Sequence, residues 1–260
     1  MTDGDQALVM QVAVVSLFPD MVRDAAKYGV TGRAMDRGLV SLDCVNPRDF
    51  THDVHNTVDD RPYGGGPGML LKMEPVSAAI QAAQSATAEN GKDERPVVFL
   101  TPQGRMFDQQ LASELADSAG MILVAGRYEG FDERLLETQA DLEVSLGDFV
   151  LSGGEVAALA VIDAVVRLLP GVLGDDASAQ QDSFSSGLLD YPHYTRSESI
   201  GSQDIPPVLL SGDHAAIERW RTKEALGRTW VRRPDLLKLR ELSSVEQDLL
   251  QEYIAEYNAR

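Results

Sequence analysis

Three short segments of this chain combine residue types that suit a small-ligand pocket: Thr101-Pro-Gln-Gly-Arg105, Gly126-Arg-Tyr-Glu-Gly130 and Gly147-Asp-Phe-Val-Leu-Ser-Gly-Gly-Glu155. Glycines let backbone come close to a bound group. Other segments carry weaker signals. Arg61-Pro-Tyr-Gly-Gly-Gly-Pro-Gly-Met69 is glycine-rich. It lacks the Gly-Lys-Ser/Thr ending of a phosphate loop, and its prolines remove backbone donors. His52 and His55 stand among Asp53, Asp59 and Asp60. A metal accepts those ligand types, but the spacing fits no standard site, so a hydrogen-bonded polar loop is the better reading. Cys44 follows Asp43 on a strand-like stretch with no activating base in view, and it reads as a small core residue. Arg167 lies within the apolar run VIDAVVRLL, near the helix end. Spacing alone favours a solvent-facing cation there, where it suits the helix dipole. Asp182, Ser183 and Ser185 fall in a long polar segment.

The elements that position these groups alternate between strand and helix. Val9 to Leu17 is β-branched and runs into Phe18-Pro19-Asp20, a strand followed by a turn and a helix start. Val40 to Val45, Val97 to Leu100, Met121 to Ala125 and Leu142 to Leu146 read as further strands. Helices are expected from Pro75, over Phe107 to Leu115, and over Glu155 to Leu169, where Pro170 ends the pattern. Glu89 to Arg95 reads as a loop. Such alternation predicts an α/β fold with a parallel sheet, whose ligands bind outside the carboxyl ends of the strands. The segments 101–105, 126–130 and 147–154 all stand at that edge. After Pro170 the periodicity fades until Ser211, and Gly171 to Pro207 reads as a long functional loop or linker. Asp213 is placed to cap a helix, and Ser243-Ser-Val-Glu246 fits a capping box for the last one.

A length of 260 residues allows one large domain or two modest ones. No apolar stretch reaches the roughly 18 residues of a membrane span. The acidic start MTDGDQALVM does not read as a signal peptide, and a single cysteine fits a reducing compartment; a cytoplasmic protein is expected. The net charge of −18 speaks against nucleic acid until its distribution is considered. Arg219, Arg221, Lys223, Arg228, Arg232, Arg233, Lys238 and Arg240 are interrupted only by Glu224 and Asp235. That basic island is either a solvated helical face or a docking surface for a polyanion.

Taken together, several segments resemble one family, the bacterial tRNA (guanine-N1)-methyltransferases. They are SLFPDM (16–21), YGVTGRA (28–34), NPRDFTHD (46–53), TVDDRPYGGGPGML (57–70), LTPQGR (100–105), GRYEGFDER (126–134), SLGDFVLSGGE (145–155), PGVLG (170–174), DSFSSGLLDYPHYTR (182–196) and PPVLLSGDHA (206–215). Their order and joint occurrence over nearly the whole chain make the resemblance specific.

The resemblance implies a SPOUT-type α/β fold whose C-terminal part is tied in a trefoil knot, followed by a small α-helical C-terminal domain. The corresponding domains are 1–173 for S-adenosylmethionine, a flexible linker at 174–207, and a tRNA-binding domain at 208–260. It implies methyl transfer from S-adenosylmethionine to N1 of the guanosine just 3′ of the anticodon (position 37), giving 1-methylguanosine. It also implies a homodimer whose sites are shared between subunits. Carried over position by position, S-adenosylmethionine would meet Phe99, Leu100, Thr101, Pro102 and Gln103. It would also meet Gly126, Tyr128, Glu129 and Gly130, and then Leu146, Gly147, Asp148, Phe149, Val150, Leu151, Gly153 and Gly154. Thr101, Leu146 and Phe149 stand where the family pattern has Ser, Ile and Tyr, so one hydroxyl is lost at Phe149. Asp182 maps to the family's general base and Arg167 to its partner arginine. Magnesium is left open, with Glu129 among the acids able to hold it; no metal ligand is assigned.

Under that reading segment 174–205 covers the site once tRNA binds, and the island at 219–240 docks the tRNA. An RNA-binding module without catalysis would lack Asp182, Arg167 or the GDFVLSGGE segment, and all are present. A knotted methyltransferase for another RNA position is opposed by YGGGPGM and DSF. The missing phosphate-loop patterns count against a nucleotide-dependent hydrolase or oxidoreductase.

Overall fold

The structure, a computed structural model, describes residues 10–86, 94–174 and 181–259. The chain divides into two compact units, with the boundary at Asp176. The first is built on a five-stranded sheet in the order β2-β1-β6-β5-β7. Its strands are β1 (Met10–Val15), β2 (Val40–Val45), β5 (Val97–Met106), β6 (Gly120–Ala125) and β7 (Leu142–Ser145). All neighbours run parallel. Two two-residue strands, β3 (Asp59–Asp60) and β4 (Leu70–Leu71), form a separate antiparallel pair.

Parallel strands are buried on both faces, which is why β6, GMILVA, is apolar and closed to solvent along its whole length. One face packs on α1 (Pro19–Ala26), α2 (Gly29–Asp36), α4 (Gln109–Ala116) and α6 (Glu155–Val166) through Val22, Ala34, Leu111, Val161 and Ile162. The other packs on α3 (Met73–Ser85) and α5 (Glu133–Gln139) through Val76, Ile80 and Leu135. Successive residues of β5 serve opposite faces, Val98 and Leu100 one and Val97 and Phe99 the other. Cys44 is buried in the first layer, and desolvation pushes its thiol up to about 11, so it is inert packing as expected.

Boundaries differ from the sequence reading where local chemistry allows. Helix α3 starts at Met73 rather than Pro75. Pro75 falls among the first N–H groups of a helix, which have no partner anyway. Thr101 to Arg105, expected as a loop, belongs to β5. Leu100 and Arg105 both register with Val144, so residues 101–104 leave the ladder between them as a bulge. A Cβ on Gly104 would stand 2.3 Å from the backbone of Glu143. The loop expected at 89–95 lies outside the described residues up to 93.

In the second unit, α7 (His214–Arg232), α8 (Pro234–Lys238) and α9 (Ser244–Asn258) surround Leu188, Ala225, Leu226, Leu249 and Leu250. A two-strand turn, β8 (Ser199–Ile200) with β9 (Gln203–Asp204), precedes them. Asp213 caps α7 through the N–H groups of Ala215 and Ala216, and the Ser243–Glu246 capping box opens α9. The buried Thr229 hydroxyl donates to Ala225 O and accepts the Leu189 N–H at 2.9 Å, tying the 181–191 segment to α7. Helices α7 and α9 are joined by charge: Arg219 meets Glu252 at 2.5 Å, and Lys223 meets Glu252 at 3.1 Å and Glu256 at 2.7 Å. Burial alone would lower the Lys223 pKa, but the Glu256 and Glu252 hydrogen bonds raise it. Hydrogen bonds from Arg219 and Lys223 hold Glu252 down at about 2. A carboxylate with a depressed folded pKa stabilises above its unfolded value and loses that contribution on acidification. Acid titration of the wild type should therefore show α7–α9 stability falling between about pH 4.5 and 2. Glu252→Gln should flatten that limb in a urea-unfolding series against pH.

Candidate active site

The carboxyl ends of β5, β6 and β7 open on a cavity of about 350 Å³ in the first unit. Its walls come from all three loops read from sequence. Leu100, Thr101, Pro102 and Gln103 form one side. Gly126, Tyr128, Glu129 and Gly130 form the second, and Leu146, Phe149, Val150, Leu151, Gly153 and Gly154 the third. Three expected residues lie off it. Phe99 is fully buried on the opposite sheet face, packed edge-on against Phe131 at 5.0 Å, so it backs a lining ring. Gly147 and Asp148 form the turn before Phe149, whose N–H donates to Gly147 O at 2.8 Å.

The two glycine loops are pressed together. Gly154 N–H donates to Gly126 O at 2.8 Å, and a Cβ on Gly154 would meet Ala125 Cα at 2.8 Å. A Cβ on Gly126 would stand 2.9 Å from the Phe131 ring. Tyr128, with φ of 61°, holds a left-handed conformation that non-glycine residues adopt rarely. Gly154→Ala has no flexible side chain to displace, only backbone. It is expected to cost about 1–3 kcal/mol as overpacking and to narrow the cavity. Calorimetric unfolding checks the first effect and ligand titration the second.

Sequence reasoning missed the group that clamps these loops. Glu155, the first residue of α6, is closed to solvent. Its carboxylate accepts from Ser16 Oγ at 2.8 Å and from Arg127 Nε at 2.9 Å. Arg127 also donates to Ser152 O at 3.2 Å and lies 4.5 Å above the Phe18 ring. The end of β1, the 126–130 loop and the start of α6 thus share one charge pair. A charged acid opening a largely apolar helix, and an arginine beside a loop glycine, were the signals available for it.

The glycine-rich run 64–68 flanks the same loop. Gly68 has φ of 81°, and a Cβ there would fall 2.3 Å from the Glu129 side chain, while Glu129 N–H donates to Met69 O at 2.9 Å. The run packs against the pocket loop. Asp53 accepts from His55 N–H and from both the N–H and hydroxyl of Thr57, and the Thr57 bonds keep its carboxyl below the usual range. That is a structural turn, and among the described residues no group of three or more His, Cys, Asp or Glu is placed to hold a metal ion.

Arg167 follows the last turn of α6 as its C-cap, in the first unit. Asp182 lines a second cavity, of about 290 Å³, within the second unit, with Tyr191, Arg221 and Arg240.

The profile of the family described as tRNA (Guanine-1)-methyltransferase TrmD matches residues 10–239. The chain belongs to that family. A relative from Methylococcus capsulatus called tRNA (guanine-N(1)-)-methyltransferase is 58% identical, over 95% of this chain and 97% of its own. Relatives of the same name from Edwardsiella ictaluri and Sodalis glossinidius are each 56% identical, over 96% of this chain and 97% and 98% of theirs. The family match covers both glycine loops, the clamp and Asp182, and it ends within the basic island. No helix among the described residues is long and apolar enough to cross a membrane.

Proposed function

We propose that this methyltransferase moves the methyl group of S-adenosylmethionine to N1 of the guanine 3′ of the tRNA anticodon. The observation that carries the reading is the cavity formed by the 101–103, 126–130 and 146–154 segments in a chain of this family. The cavity fits that donor. Apolar side chains at Leu100, Phe131, Val144, Leu146 and Ala157 suit a flat adenine, and Gly126, Gly153 and Gly154 leave backbone close to it. S-adenosylmethionine supplies the methyl group on a sulfonium, already activated as a leaving group.

The acceptor is the harder half. Guanine N1 carries a proton near neutral pH, so a base must take it as attack proceeds. Asp182 is that base in our reading. Arg167 offsets the negative charge that develops on guanine O6. The segment 174–205 closes over the flipped guanine, and the helical part from 208 holds tRNA. The close contact of Gly154 with Ala125 and Gly126 is compatible with the trefoil knot of a SPOUT-type fold. Exposed Phe18, Met21, Val150 and Val156 give a second copy an apolar surface to cover, which supports a homodimer. The cytoplasm, where tRNA is modified, is the compartment that fits. If magnesium takes part, Glu129, which lines the cavity, is among the acids able to hold it.

The deciding experiment is methyl transfer from labelled S-adenosylmethionine to tRNA transcripts with guanine or adenine at that position. Incorporation only with guanine, recovered as 1-methylguanosine, is the expected result. Equal incorporation into both would overturn the reading.

A further inference from the structure

The basic island is not one surface. In sequence only Glu224 and Asp235 offset it, but folding brings other acids to it. Arg219 and Lys223 are spent on Glu252 and Glu256 of α9, Arg233 on Asp235, and Arg240 on Glu246. Arg228, Arg232 and Lys238 have no ion pair among the described residues, and Arg221 has only a loose one, 3.8 Å from Glu218. At about 100° per residue, Arg221, Arg228 and Arg232 fall within roughly 40° of one another on α7. Arg219 and Lys223 lie on the opposite side, roughly 180° round.

The Arg221 side also carries the cavity that contains Asp182. Arg221, Thr222 and Ala225 line it together with Asp182 and Tyr191. The Arg221 guanidinium lies 4.8 Å over the Tyr191 ring, and its Nε is enclosed with no hydrogen-bond partner among the described residues. A buried donor without an acceptor is costly, and an arriving anionic oxygen would satisfy it.

We infer that Arg221, Arg228 and Arg232 form a track for RNA phosphates that leads to the Asp182 cavity, while Arg219 and Lys223 only hold α7 to α9. The row is about 16 Å long, enough to follow several nucleotides of one strand. Glu224 borders it, and the acids elsewhere on the chain keep nonspecific RNA away from the remaining surface. The inference rests on the tRNA reading above.

The test is the affinity of a tRNA transcript with guanine 3′ of its anticodon, measured against salt. Arg228→Gln with Arg232→Gln should weaken binding about tenfold near physiological salt. It should also lower the slope of log K on log salt by about 1.4, at about 0.7 for each single-strand phosphate contact. Lysine at both positions should restore the slope. Arg219→Gln should leave the slope alone and lower the thermal midpoint. An unchanged slope in the double glutamine variant, with wild-type protein still methylating tRNA, overturns the track alone. An equal loss of slope in Arg219→Gln does the same. Wild-type protein that neither binds nor methylates the transcript overturns the track and the functional reading together.

Discussion

Asp182→Asn is expected to cut methyl transfer about 10²- to 10⁴-fold, the usual worth of a positioned general base, while S-adenosylmethionine binding stays near wild type. The two effects separate because Asp182 lies in a different unit from the residues proposed to hold the donor. The cavity proposed for the donor is lined by residues between Leu100 and Ala157, and Asp182 lines the cavity beside α7. Asparagine keeps the size and polarity of the side chain but cannot take the proton from guanine N1. Single-turnover rates with saturating tRNA, beside calorimetric titration of the cofactor, measure both. Near-normal turnover would assign the base elsewhere. A second arm addresses the shared site. Mixing Arg167→Ala with Asp182→Ala subunits should recover part of the activity if one subunit supplies the arginine and the other the aspartate. Verified mixed dimers with no recovery would count against that arrangement.

Arg127→Ala should destabilise the first unit strongly, by about 3–5 kcal/mol. Glu155 is fully enclosed and relies on Arg127 and Ser16. Removing the guanidinium leaves a buried carboxylate with one hydroxyl for company. The cost lies mainly in that stranded charge, not in the value of the pair. Adding Glu155→Gln to Arg127→Ala should therefore regain much of the loss, although it removes yet another native group. Denaturant unfolding of the two variants decides it. A double variant less stable than Arg127→Ala would mean that Glu155 acts through packing alone. Cofactor affinity should fall in Arg127→Ala by more than unfolding explains, because Arg127 also holds Ser152 and sits on Phe18 between the two glycine loops.

The clamp and the basic island show where local reading stops. The helix caps at Asp213 and Ser243 were legible because a cap needs only residues two or three positions away. Strands were legible because a doubly covered parallel sheet demands unbroken apolar runs, as in β6. Residues 101–105 were read as a loop because proline and glycine mark one, and only the pairing with β7 shows the strand resuming at Arg105.

By itself, the sequence determined the strand–helix alternation, the apolar faces, the three loop segments at the sheet edge and the family. Each of these depends on the order and type of neighbouring residues. The tertiary structure alone decided which distant groups share a charge. Ser16, Arg127 and Glu155 are separated by more than a hundred positions end to end, yet one carboxylate joins them. Arg219 and Lys223 looked available until α9 brought Glu252 and Glu256 against them. Coulomb and hydrogen-bond energies fall with distance in space and are indifferent to distance along the chain. Only packing, therefore, could separate the cations that hold the protein together from those proposed to meet RNA.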